Sequence, residues 1–192
     1  DDTADVQALS AAMDAAGVAP DVKLWVMVET PRAVLALERI ADCARDTRLA
    51  GFVLGLNDLA KDSGIAQLPG RMAFLPVLTM AVLAARANGL VILDGVCNAI
   101  EDVARLEAEC VQARDSGFDG KTLIHPAQLG ICNQVFAPTQ ADIAEAESIV
   151  TAFADPANAG KGALRLNGKM VELLHLAQAE RLLARAAMIA AR

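Results

Sequence analysis

The stretch LWVMVETPRAV, residues 24–34, joins an unbroken apolar run to an abrupt polar stop. Leu24 to Val28 carry no polar side chain. Glu29, Thr30 and Pro31 follow at once, and a helical pattern then places Val34, Leu37, Ile40 and Ala41 on one face. Thr30 suits a helix N-cap, and Pro31 suits the first helical position, where its missing N–H leaves no bond unmade. The segment predicts a strand over 23–28, a turn and a helix, with a carboxylate closing the strand.

The same grammar recurs downstream. Gly51-Phe-Val-Leu ends at Gly55 and opens the polar loop GLNDLAKDSG; Leu90–Leu93 ends on Asp94; Lys121–Ile124 runs into His125-Pro126. Helical faces lie between them: Leu75, Leu78 and Val82, then Ile100, Val103, Leu106 and Cys110, with Asn98 as a candidate cap. A further helix precedes the first strand, with Val6, Leu9, Met13 and Ala16 in phase and Gly17 as its stop. Apolar strands alternating with helices predict a parallel sheet covered on both faces. A doubly wound sheet and a (β/α)8 TIM barrel both fit, and both collect their chemistry beyond the carboxyl ends of the strands. No G-x-G-x-x-G follows any strand, which favours the barrel. Four strands amount to about four βα units, half of one.

Residues 1–154 are assigned to this α/β half-barrel and 155–192 to a C-terminal loop-turn-helix extension. That extension contains the small-residue loop ADPANAGKGA, a tight turn at Asn167-Gly168, and an Ala- and Leu-rich helix from Leu173 to Ala191. Its polar face carries both signs of charge, so it reads as packing on a neighbouring subunit rather than lying on a membrane.

Composition narrows the function. With 55% hydrophobic and 21% charged residues, the 192-residue chain is expected to be globular rather than disordered. A net charge of −7 without a basic run argues against nucleic acid and anionic membrane surfaces as partners. No apolar run is long enough to span a bilayer, and DDTADVQAL lacks the features of a signal peptide. Cys43, Cys97, Cys110 and Cys132 are widely spaced and read as reduced thiols of a cytoplasmic protein.

What chemistry remains is carried by carboxylates. No serine elbow, C-x-x-C, H-E-x-x-H or G-x-x-x-x-G-K is present. Glu29, the Asn57-Asp58 loop, Asp94 and His125 lie at four successive strand ends. Glu29 and Asp58 could share a hard cation such as Mg²⁺, which takes one or two protein carboxylates and leaves its other positions to water and substrate oxygens. Such a site polarises a carbonyl and steadies an enolate. On residue types alone, Glu29 fits a solvated strand end equally well, and Asp58 fits a helix cap.

Several segments, in order, resemble the HpcH/HpaI aldolase/citrate lyase family. They are VETPRAVLALERIA, GFVLGLNDLAKDSG, LVILDGVCNAIED, GFDGKTLIHPAQLGICNQVFAP and NGKMVELLHLAQAERLLARA, the fourth being the most specific. The branch they are most similar to contains citrate lyase beta-subunits and malyl-CoA lyases. The resemblance implies a Mg²⁺-dependent carbon–carbon lyase that splits or forms a 3-hydroxyacyl-CoA such as citryl-CoA or malyl-CoA, yielding an acyl-CoA and a 2-oxo acid. Glu29 and Asp58 match the metal ligands, Glu29 thereby also reaching the metal-bound substrate. Glu172 stands where the family has a catalytic Asp that crosses to a neighbouring subunit, and Leu174 replaces the usual proline. Asp94 is expected as a hydrogen-bond acceptor behind the ligands and His125 beside the substrate or holding its loop, while Lys121 is expected to be structural and His175 to lie at a surface or interface. The resemblance also implies a homo-oligomer, trimers being common in the family. Four upstream strands of the family have no counterpart here, so the chain alone is expected to be incomplete for catalysis. Two alternatives stand beside the lyase: a non-catalytic assembly subunit, and an aldolase acting on free hydroxy-oxo-acids.

Overall fold

The computed structural model describes residues 2–191, which divide into two compact units, the first ending at Phe136 and the second beginning at Ala137. The first unit is α/β. Helix α1 (Thr3–Ala15) precedes strand β1 (Leu24–Val28), short helices α2 (Pro31–Leu35) and α3 (Leu37–Asp42), and strand β2 (Leu49–Leu54). Helices α4 (Leu56–Ser63) and α5 (Leu75–Ala87), strand β3 (Val91–Asp94), helix α6 (Val103–Asp115), the two-residue strand β4 (Gly120–Lys121) and helix α7 (Leu129–Phe136) complete it. The helix predicted after Pro31 is therefore broken at Ala36, although Ala33, Val34, Leu37, Ile40 and Ala41 are buried as one apolar face.

All four strands run parallel in the order β1-β2-β3-β4. Each strand lies beside its predecessor in sequence, with no reversal of order among the described strands. A doubly wound sheet needs such a reversal, because it is what sends helices to both faces. Here one face alone is buried. Leu24, Val28, Phe52, Leu54 and Ile92 join one core with Leu37, Ile40, Leu78, Ala81 and Leu106 from the helices. The alternate residues point the other way: Trp25 pairs with Gly51 and Gly51 with Val91, while Met27 pairs with Val53 and Val53 with Leu93. Trp25 is 41% exposed, Met27 54% and Val91 39% within this chain. The expectation of a sheet covered on both faces is thus corrected. The strand interiors are apolar on both sides, yet the helices of the first unit cover only one. On the open face the Trp25 ring lies over Gly51, where a Cβ would come within 2.6 Å of it.

The second unit contains helix α8 (Gln140–Ala154), the antiparallel hairpin β5 (Ala163–Leu166) and β6 (Lys169–Glu172), and helix α9 (Leu173–Ala190). Asn167 and Gly168 form the predicted two-residue turn with φ values of 50° and 80°, the left-handed pair that a twisted hairpin requires. Helix α8 belongs with this hairpin and with α9, against which it packs, so the compact division falls earlier in the chain than residue 154. Ala146 and Ala179 are buried in α8 and α9, while Leu173 and Leu174 stay exposed. All four cysteines are buried free thiols. No described helix is long and apolar enough to cross a membrane.

Candidate metal and substrate site

Thr30 ends β1 as anticipated: its Oγ1 accepts the Ala33 N–H at 3.1 Å, capping α2 behind Pro31. Glu29 is thereby held half-buried at the last extended position before the chain turns. Beside it, at the end of the next strand, stands Gly55, whose N–H donates to the Val28 carbonyl at 2.9 Å. A Cβ on Gly55 would overlap the Glu29 Cβ and stand 3.0 Å from its Oε2. The backbone here is unstrained, with φ at −96°; glycine is needed because the two strand ends approach so closely. Gly55→Ala is expected to lower the stability of the first unit by about 1–3 kcal/mol through this overlap. Gly130→Ala, on helix α7 with open space around it, is expected to be neutral or stabilising. Denaturant unfolding of the two variants checks the contrast.

Helix α4 begins directly at Gly55, which supplies no capping side chain. Asp58 is therefore not the cap. It is the third helical residue, exposed in a first turn whose free N–H groups favour negative charge. Lys61 Nζ stands 3.2 Å from Asp58 Oδ1. The structure thus brings Glu29 and Asp58 to adjacent strand ends, both against Gly55 or the helix it opens. Among the described residues no cluster of three or more His, Cys, Asp or Glu side chains is arranged to hold a metal. The donor set available is a pair of hard oxygen ligands, not a closed four-ligand cage.

Asp94 faces elsewhere. It is wholly buried, and Arg71 Nη1 donates to both its oxygens at 2.8 and 2.7 Å. Lys121 Nζ, equally buried, donates to Asp94 Oδ2 at 2.7 Å and to the Gly95 carbonyl at 2.6 Å, and lies 3.1 Å from Glu109 Oε2. Arg105 Nε reaches Glu109 Oε1 at 3.1 Å, while Arg71 also bonds Gln112 Oε1 and the Glu109 carbonyl. Three cations therefore converge on two carboxylates under the sheet's C-terminal end, joining β3, β4 and α6. Lys121 is thus held within the buried cluster. Arg71 and Glu109 were not visible as partners in the sequence: Arg71 reads as one polar residue in a loop, and it acts through an uncommon left-handed φ of 51°.

Glu109 feels two opposed influences. Burial pushes its carboxyl up, but Lys121, Arg105 and Arg71 together outweigh that and hold it below its ordinary value of 4.5. A lowered folded-state value means stability that is complete above the unfolded value and is lost as pH falls through the folded one. Unfolding free energy is expected to decline below about pH 4.5, and Glu109→Gln to flatten that decline, as measured by urea titrations across the acid range.

His125 acts on its own loop: its Nδ1 accepts from the Ala127 N–H at 3.2 Å, capping the single turn Pro126–Gln128. Gln128 lies in the most specific of the resembling segments, but no role was read for it there. It is fully buried, donating to the Cys97 carbonyl at 3.0 Å and accepting from the Ile124 N–H at 3.1 Å, so it ties the loop after β3 to the loop after β4. Asn98 does not cap α6; Asp102 does, accepting from the Arg105 N–H at 2.9 Å. Asn98 instead meets Asn57 across the two loops: Asn98 Nδ2 donates to Asn57 Oδ1 at 2.6 Å, and Asn57 Nδ2 donates back to Asn98 Oδ1 at 3.2 Å. Glu172 belongs to the second unit, at the junction of β6 and α9, where its N–H donates to His175 Nδ1 at 2.9 Å. His175 is thus fixed to the start of α9.

The sequence profile of the HpcH/HpaI aldolase/citrate lyase family matches residues 2–126, a span that holds both candidate ligands and the buried ion cluster. The chain belongs to the HpcH/HpaI aldolase/citrate lyase family. Among its relatives is a (3S)-malyl-CoA thioesterase of Cereibacter sphaeroides, 48% identical over 176 residues, covering 92% of this chain and 61% of the relative. The citrate lyase subunit beta of Haemophilus influenzae is 30% identical over 168 residues, covering 88% of this chain and 57% of the relative. Among solved structures, the protein CitE from Mycobacterium tuberculosis, in complex with magnesium, acetoacetate and coenzyme A, superposes with a TM-score of 0.76. It is 28% identical, and the match covers 97% of this family member and 65% of that chain. The chain spans about three fifths of the length of the curated relatives it matches.

Proposed function

We propose that this chain carries the metal-binding half of a (β/α)8 barrel enzyme that cleaves a 3-hydroxyacyl-CoA such as malyl-CoA or citryl-CoA into an acyl-CoA and a 2-oxo acid. The observation that carries this reading is the close approach of Glu29 to Gly55, which aligns one carboxylate with the helix bearing Asp58. The unreversed strand order and the single covered face support a barrel arc rather than a doubly wound sheet. Relatives named for malyl-CoA and citrate, and a neighbour holding magnesium and coenzyme A, support the cofactor and the substrate class.

The residues fit magnesium. Glu29 and Asp58 are hard oxygen donors, two in number, and the space beside Glu29 is kept free by a glycine. When bound there, magnesium would supply Lewis-acid polarisation of the 2-oxo acid's carbonyl. Glu29 and Asp58 would hold the ion, and through it orient that end of the substrate. Glu172 is assigned the proton transfer at the α-carbon of an acyl thioester bound in a neighbouring subunit's site, with the start of α9 held by His175. Leu173 and Leu174, exposed beside Glu172, suit a neighbouring subunit in a homo-oligomer.

Cleavage breaks the bond between the acyl α-carbon and the hydroxyl-bearing carbon. Its electron pair passes to the α-carbon, which takes a proton, as the hydroxyl loses its own to become the carbonyl. A second reading, hydrolysis of the thioester itself, is favoured by the 48% identity to a malyl-CoA thioesterase. Product analysis separates the two. Malyl-CoA incubated with Mg²⁺ and a protein in which this chain is joined to the remaining strands of the barrel is expected to release acetyl-CoA and glyoxylate in equal amounts. Malate and free coenzyme A without glyoxylate would establish the hydrolase instead, and no turnover of any coenzyme A thioester would refute both.

A further inference from the structure

The loop between α4 and α5 carries two residues that reach in different directions. Arg71 descends into the buried ion cluster on Asp94, while Gln67 turns to the start of α4. Gln67 Nε2 donates to the Leu56 carbonyl at 3.0 Å and to Asn57 Oδ1 at 3.1 Å. Asn98, from the loop after β3, closes the arrangement with its reciprocal pair to Asn57. Two amides from two other segments thus converge on Asn57, the residue that immediately precedes Asp58.

We propose that Asn57, Gln67 and Asn98 form an amide clamp that positions Asp58 for metal binding. The proposal rests on the reading of Asp58 as a ligand. Its physical basis is the way α4 starts. Gly55 offers no side-chain cap, so the first turn, on which Asp58 sits, would be free to fray. The clamp does not bond the free first-turn N–H groups; it restrains the turn from outside, through the Leu56 carbonyl and the Asn57 side chain. Gln67 holds the backbone at Leu56 and, with Asn98, holds the side chain at Asn57. Neither Gln67 nor Asn98 is a catalytic residue here; each acts through the orientation of Asp58. Arg71 gives the clamp a fixed base, since its own loop is anchored by two hydrogen bonds to a buried carboxylate.

Mn²⁺ binding, followed by electron paramagnetic resonance of the free ion, tests this without needing turnover. Asn98→Ala and Gln67→Leu are each expected to weaken Mn²⁺ affinity by at least about 10-fold, the scale on which partners that orient a ligand act. Asp58→Asn is expected to weaken it further. Ile92→Val, which loosens the packing of the neighbouring strand without touching the clamp, is expected to lower the melting temperature while leaving affinity unchanged. If Asp58→Asn weakens binding and both clamp variants do not, the clamp is overturned while the ligand reading stands. If affinity falls in Ile92→Val as much as in the clamp variants, the effect is general destabilisation and the clamp is overturned. If Asp58→Asn binds Mn²⁺ as the unaltered protein does, the ligand reading fails and takes the clamp with it.

Discussion

Asp94→Asn is expected to destabilise the first unit by about 3–5 kcal/mol, enough to unfold much of it at moderate temperature. Asp94 is wholly buried with Arg71 and Lys121 both bonded to it. Neutralising it leaves two buried cations facing a single remaining carboxylate, Glu109, which already serves Lys121 and Arg105. The cost is that of uncompensated buried charge rather than the worth of a salt bridge, which can be small. Removing a cation at the same time is therefore expected to recover part of the loss: Asp94→Asn with Arg71→Met is expected to be more stable than Asp94→Asn alone. Urea unfolding of the single and double variants, read as a double-mutant cycle, measures the coupling. Equal stability of Asp94→Asn and the unaltered protein would contradict the arrangement.

The second large effect falls on function. In a protein that joins this chain to the remaining strands of the barrel, Glu29→Gln and Asp58→Asn are each expected to reduce turnover of a coenzyme A thioester by about 10²-fold or more, and to weaken Mg²⁺ binding beyond the 10–100-fold typical of residues that merely orient a ligand. Stability does not confound the second of these. The Asp58 side chain is 55% exposed and paired only with a surface lysine, and such pairs are worth about 0–1 kcal/mol. Asp58→Asn is therefore expected to melt within a few degrees of the unaltered protein while losing metal. Raised Mg²⁺ concentration is expected to restore part of its turnover. Full activity at ordinary Mg²⁺ in either variant would remove the residue from the metal site.

Much of this was readable from local pattern. The strand at Leu24–Val28, the Thr30 cap, the left-handed turn at Asn167-Gly168 and the apolar face of α5 follow from periodicity and backbone chemistry that act within a few residues, whereas of the face expected for α6 only Leu106 and Cys110 are buried, Ile100 preceding the helix and staying exposed with Val103. The carboxylate at the end of β1 was legible for the same reason. What escaped depended on distance along the chain. Asn98 is a good cap by type, but Asn57 competes for it from another loop, and Asp102 takes the cap instead. Arg71 gave no hint that it would adopt a left-handed backbone and satisfy Asp94. Gln128, a polar residue in a polar-looking loop, is fully buried because two backbone groups need it. The open face was misread because Trp25, Met27 and Val91 are apolar like their buried neighbours, and alternation disappears when both faces of a strand are greasy.

That face also contains the chain's single tryptophan. Trp25 lies partly in water, flat against Gly51, with no other indole to mask its emission. The intrinsic fluorescence of the protein is consequently a one-site optical probe of the sheet's uncovered side. Whatever apolar surface settles there will move the emission to the blue and slow its quenching by iodide.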